Sequence, residues 1–117
     1  MGKKILIVDD DPVIRMLVTD IVSSFGHSVE SSENGKDCLV RLTEGLPDII
    51  FLDLQMPGMN GMEVLKQIRN DARTASVPVV MLSANSEVQS LGASDCQPDF
   101  YISKPFALAD FLKVLNP

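Results

Sequence analysis

Residues 4–8, 49–52 and 79–82 are three short, nearly unbroken apolar runs, each followed by a polar turn and then by a helical pattern. Runs of this length suit strands buried on both faces, and such strands occur where helices cover a parallel sheet on either side. Helix and strand patterns alternate along the whole chain, which implies βαβ crossovers within one doubly wound α/β domain. The segments SVESS at 28–32 and DFYIS at 99–103 carry polar residues and read as edge strands. A five-stranded parallel sheet of order 2-1-3-4-5 accommodates all five, with its reversal between the first and third strands.

The first helix is the most sharply written. Ile14, Leu17, Val18, Ile21, Val22 and Phe25 form one apolar stripe, with Asp11 as N-cap, Pro12 at the first helical position and Gly26 after the end. A second helix is expected from about Asn34 to Gly45, with Leu39, Leu42 and Leu46 inward. A third begins at Asn60, which has capping-box spacing to Glu63. The fourth, near Ser86 to Leu91, is short, Ser-rich and stopped by Gly92. The fifth spans about Phe106 to Leu115, with Leu108, Phe111, Leu112 and Leu115 toward the sheet.

A chain of 117 residues has room for one ordinary domain, 1–117, and not for two. It offers no apolar stretch near the roughly 20 residues of a membrane span, and Lys3 and Lys4 precede too short an apolar run for a signal peptide. The expected location is cytoplasmic, with no membrane partner. The formal net charge of -6 and the absence of a Lys/Arg cluster argue against direct nucleic-acid binding. Cys38 and Cys96 lack metal-type spacing and read as reduced, packed thiols, and His27 reads as a surface loop residue.

Chemistry concentrates at the carboxyl ends of the strands, the rim where open α/β sheets bind ligands. Asp9 and Asp10 follow the first strand, Asp53 the third, Ser83 the fourth and Lys104 the fifth. Three carboxylates converging on one spot repel one another and favour a divalent cation; Mg²⁺ takes hard oxygen ligands together with water and phosphate oxygens. Masking of charge by a cation suits Asp53 to attack phosphorus, with the Lys104 ammonium and the Ser83 hydroxyl gripping phosphoryl oxygens. Each residue taken alone has a blander reading: Asp11 is a helix cap, Asp53 a turn residue, Ser83 a capping hydroxyl. One helix needs only one cap, however, and the joint placement of five such groups on one rim is specific.

The motifs ILIVDDDP at 5–12, DIIFLDLQMPGMNGMEVL at 48–65, PVVMLSA at 78–84 and YISKPF at 101–106 resemble the receiver domain of bacterial two-component response regulators, of the single-domain, chemotaxis-regulator-like kind. The likeness covers essentially the whole chain and keeps the family's order and spacing. It implies the flavodoxin-like receiver fold, Asp53 as phosphoacceptor, and Mg²⁺ held by Asp9, Asp10, Asp53 and the backbone carbonyl of Gln55. It also implies a switch pair of Ser83 and Tyr101, a phosphoryl contact from Lys104, and a cis peptide at Lys104–Pro105. Gln55 and Asn85, two residues past Asp53 and Ser83, are placed to tune the lifetime of the phosphoryl group. The chain departs from the family at Gln97 and Pro98, where many receivers carry a Gly-Ala pair, and this unsettles the length of the fourth helix.

The function expected on these grounds is phosphoryl acceptance from a histidine kinase or histidine phosphotransfer protein, followed by docking to a downstream protein target. Slow self-dephosphorylation is expected rather than enzymatic turnover. Alternatives are a receiver cut from a larger regulator or hybrid kinase, a receiver used purely for binding, and an Mg²⁺-dependent aspartyl-phosphate phosphatase. The last requires a second Asp two residues after the nucleophile, and that position holds Gln55.

Overall fold

The computed structural model describes residues 2–84, 98–104 and 108–115, with the side chains of Ala84, Lys104, Leu108 and Leu112 outside that description. In chain order the elements are β1 (Lys4–Val8), α1 (Pro12–Ser24), β2 (Ser28–Ser32), α2 (Gly35–Glu44), β3 (Ile49–Asp53), α3 (Gly61–Asn70), β4 (Val79–Ala84), β5 (Phe100–Lys104) and α4 (Leu108–Leu115). The five strands make one sheet of order β2-β1-β3-β4-β5, all neighbours parallel. The expected fourth helix near 86–91, Cys96, Asn85 and the Lys104–Pro105 peptide lie outside the described residues.

The unbroken apolar runs are explained by two cores, one on each face of the sheet. Alternate residues of a strand point to opposite faces, so Leu6, Val8, Ile50 and Leu52 pack beneath α2 and α3 against Cys38, Leu42, Val64 and Ile68. Ile5, Ile7, Phe51 and Leu82 face the other way, toward Val18 and Val22 of α1 and Phe111 of α4. Phe51 and Phe111 meet there with ring centroids 5.5 Å apart. Burying a side chain of this size contributes about 1.5–3 kcal/mol, and every residue of β3 is buried.

Short polar side chains set the helix starts. Asp11 accepts from Val13 N at 2.9 Å, Asn34 from Asp37 N at 2.7 Å and Asn60 from Glu63 N at 3.0 Å. Gly26, at φ 87°, follows α1 in the left-handed conformation that suits glycine. Two apolar assignments differ from expectation. Leu46 is 41% exposed because α2 ends at Glu44, leaving Leu46 in the loop before β3. Leu17 is 44% exposed, since the buried side of α1 centres on Val18 and Val22 and Leu17 lies at its flank. His27 is half-buried rather than a surface residue, its Nδ1 accepting from Lys3 N at 2.8 Å.

At the opposite end of the sheet from the rim, Arg69 at the end of α3 joins three segments. It donates to the carbonyls of Ala75 and Val77 at 3.1 and 2.8 Å and to the Asp99 carboxylate at 2.8 Å, while Asp99 also accepts from Val79 N at 2.8 Å. The side chain of Arg69 is 19% exposed, whereas the Arg41–Asp37 pair along α2 is 38% and 40% exposed. Arg41 holds the Asp37 carboxyl below its usual range, but water screens such a pair.

Two predictions follow from this packing. Arg69→Met should lower the unfolding free energy by about 1.5–3 kcal/mol, the range for hydrogen bonds from a charged donor, whereas Arg41→Met should leave the urea midpoint close to wild type; equal losses in the two variants would contradict the role given to burial. At Gly61, a Cβ would overlap the Asp53 carbonyl oxygen and lie 2.8 Å from Leu54 Cα. Alanine improves helix propensity by about 1 kcal/mol, but overpacking costs about 1–3 kcal/mol and backbone has little room to yield. Gly61→Ala should therefore lower Tm, and a raised Tm would show that α3 does not press on the end of β3.

Candidate functional site

The rim is built by register. Val8 of β1 lies opposite Leu52 of β3, so the next residues, Asp9 and Asp53, come side by side where the strand order reverses. Carboxylate oxygens of Asp9, Asp10 and Asp53 all lie within 4.8 Å of one another. Asp9 is fully buried and Asp53 is 4% exposed, while Asp10 faces solvent. The backbone of Asp9 is anchored by Asp9 N donating to Ser32 O at 3.1 Å, and its Oδ1 accepts from Asp11 N at 2.9 Å. The turn after Asp53 is held by Leu54 N donating to Leu82 O at 3.0 Å and Gly61 N donating to Leu54 O at 2.8 Å.

Two of these three carboxylates are buried, and like charges this close are costly in a medium poorer than water at screening them. A hard divalent cation relieves that repulsion. The donor set is all oxygen, as Mg²⁺ requires, and one exposed carboxylate leaves coordination positions open to water or phosphate. The residues present therefore fit such an ion. Gln55 is exposed in the loop directly after β3, its N–H 3.4 Å from Asp53 Oδ1, at the long end of hydrogen bonding.

Ser83 lies in β4, one position beyond Leu82, the residue opposite Asp53. It is 1% exposed, and its Oγ has no hydrogen-bond partner among the described residues. Buried hydroxyls are rarely left so, and this one lies on the strand next to the acidic cluster. Tyr101 of β5 pairs with Met81, and Ser103 with Ser83, so Ser83 and Tyr101 share strand parity and the same face of the sheet. Tyr101 is 37% exposed. Lys104 ends β5 opposite Ala84. Cys38 takes no part: it is buried on the inner side of α2, and burial pushes its thiol up to about 12.

Sequence reasoning missed Arg15. Its Nη1 donates to the Asp9 carbonyl at 2.7 Å, and the available signal was a cation in the first turn of a helix, where the dipole disfavours one.

Known proteins resemble this chain in sequence and in fold. PilH of Pseudomonas aeruginosa is 32% identical, over 97% of this chain and 94% of its own length. RpaA of Synechocystis, a DNA-binding transcriptional regulator, is 36% identical over 93% of this chain but only 46% of its own length. The chain spans about half the length of several curated relatives it matches. Among solved structures, the chemotaxis response regulator CheY4 of Vibrio cholerae aligns with a TM-score of 0.86 at 29% identity, covering 98% of this chain and 97% of that one. The receiver domain of a sensor histidine kinase of Pseudomonas aeruginosa, solved with a magnesium ion coordinated in its active-site cleft, aligns with a TM-score of 0.88 at 26% identity, over 98% of this chain and 95% of that one. No helix among the described residues is long and apolar enough to cross a membrane. With the sheet order, the acidic rim and a family model that matches residues 5–116 in agreement, the chain belongs to the response regulator receiver domain family.

Proposed function

We propose that residues 1–117 act as one receiver domain that takes a phosphoryl group onto Asp53 from a histidine kinase or histidine phosphotransfer protein and passes the signal to a downstream protein in the cytoplasm. The observation that carries this reading is the meeting of Asp9, Asp10 and Asp53 within 4.8 Å at the reversal of strand order. A carboxylate oxygen of Asp53 attacks the donor's phosphorus; an O–P bond forms as the N–P bond of the phosphohistidine breaks, and the imidazole leaves neutral with its proton on the other ring nitrogen. Asp9, Asp10, Asp53 and the Gln55 carbonyl are assigned as the protein ligands of Mg²⁺, which when bound masks the negative charge on nucleophile and phosphoryl oxygens.

Phosphoryl transfer depends mainly on positioning and on charge stabilisation. The Ser83 hydroxyl, buried on the neighbouring strand, donates to one phosphoryl oxygen, and Lys104, the last residue of β5, is assigned the contact to another. Movement of Ser83 toward the new group empties space on the face it shares with Tyr101, whose ring follows; a partner reads that change on the surface around β5. Gln55 and Asn85 carry no charge at pH 7 and so offer no strong base, which leaves the aspartyl phosphate to hydrolyse slowly. The same neutrality at position 55 disfavours a phosphatase, which needs an acid there.

Asp53→Asn should abolish Mg²⁺-dependent incorporation from a small acyl phosphate, read by intact mass, while leaving the fold unchanged. Full labelling of that variant would sink the assignment. Asp10→Asn should weaken Mg²⁺ binding and, by relieving repulsion in the metal-free rim, raise Tm in the presence of a chelator. Unchanged metal titration in this variant would remove Asp10 from the ligand set.

A further inference from the structure

Arg15 stands at the fourth position of α1, close to the positive end of the helix dipole, where a cation is locally unfavourable. Residues that break a local rule and persist are held by something else. Here the side chain folds back over the first turn, and Nη1 reaches the Asp9 carbonyl oxygen at 2.7 Å. Arg15 lines a polar groove with Ser31, Glu33, Asp37 and Arg41. The carboxylate of Asp37 is taken by Arg41 at 3.0 Å, and among the described residues the Arg15 guanidinium bonds a backbone carbonyl instead.

That carbonyl belongs to the peptide joining Asp9 to Asp10. A peptide unit is planar, so fixing its oxygen fixes the direction in which the Asp10 nitrogen and Cα leave. Asp9 has further anchors, through its own N–H to Ser32 O at 3.1 Å and through Oδ1 to Asp11 N at 2.9 Å. Asp10 is exposed, and its carboxylate meets those of Asp9 and Asp53 only if the peptide before it is correctly turned.

We infer that Arg15 is a positioning residue for the divalent-cation site, holding the Asp9–Asp10 peptide so that the Asp10 carboxylate converges with those of Asp9 and Asp53. This rests on the reading of Asp10 as a metal ligand given above. The sign of its effect separates it from a simple charge effect. A guanidinium acting only through its field repels Mg²⁺, so its removal tightens metal binding. A guanidinium acting as a brace aids Mg²⁺ through Asp10, so its removal weakens metal binding.

The test is calorimetric titration of Mg²⁺ into wild type, Arg15→Met and Arg15→Lys, with amide NMR spectra of the metal-free proteins. Loss of an outer partner of a metal ligand typically costs 10–100-fold in affinity. Arg15→Met, which keeps the apolar stem, should weaken Mg²⁺ about tenfold and shift the Asp10 amide resonance before any metal is added. Arg15→Lys keeps a donor for the carbonyl and should recover most of the affinity. Tighter or unchanged binding in Arg15→Met overturns the inference, as does a lysine variant as weak as the methionine one. Should Arg15→Met not fold, Arg15→Leu, which also removes the donor, takes its place, and tighter or unchanged Mg²⁺ binding there overturns the inference in the same way. Wild type that binds no Mg²⁺ defeats the metal reading itself, whereas wild-type binding that the variants leave alone defeats only the role of Arg15.

Discussion

The parallel register of β1 against β3, with Val8 opposite Leu52, is the constraint on which the site depends. It turns two carboxylates 44 positions apart in sequence, at 9 and 53, into neighbours. Side chains alternate along a strand, so a slip of one residue would send Asp53 to the other face and bring Leu52 or Leu54 beside Asp9. The register is guarded by burial: Ile5, Ile7 and Phe51 enter one core while Leu6, Val8 and Leu52 enter the other. Every apolar residue of these strands thus contributes indirectly to the geometry of a polar rim. The amino ends of the two strands are pinned as well, since Lys4 N and Asp48 Oδ2 lie 2.7 Å apart and Asp48 N donates to Lys4 O at 2.7 Å.

A rim that gathers negative charge opposes the stability of the fold that carries it. The structure spreads this opposition unequally. Asp9 and Asp53 are buried and Asp10 is left in water, so one carboxylate retains its hydration until a ligand arrives. Backbone donors partly satisfy the buried pair, as with Asp11 N on Asp9 Oδ1. Gly61 allows α3 to begin directly against the Asp53 carbonyl, which keeps the end of β3 from relaxing away from its neighbours. Such preorganisation lets phosphoryl acceptance rely on position and charge alone.

Much of this was legible from the sequence because the signals are carried by residue type. Short apolar runs between turn residues suit strands covered on both faces, the more polar runs at 28–32 and 99–103 suit edges, and acidic residues after parallel strands fall at the rim. Reading failed where the structure is decided by chain ends and backbone atoms. The apolar period of α2 continued on paper through Leu46, but the helix stops at Glu44. Leu17 fits the stripe of α1 by spacing and still misses its buried centre. His27 gained a backbone donor, Lys3 N, that no local pattern announces. Arg15 and Gly61 act on carbonyl oxygens, which every residue possesses, so neither role has a sequence signature beyond its departure from helical preference.

The central claim is that the carboxylate at the reversal of strand order, and no other, becomes phosphorylated. The most direct measurement is to expose wild-type protein to a small acyl phosphate with Mg²⁺, trap the acyl phosphate by borohydride reduction and locate the modified residue by peptide mass spectrometry. The account predicts homoserine at position 53 alone, and none when Mg²⁺ is chelated. Homoserine at position 9 or 10, or labelling at 53 that is indifferent to the metal, would contradict it.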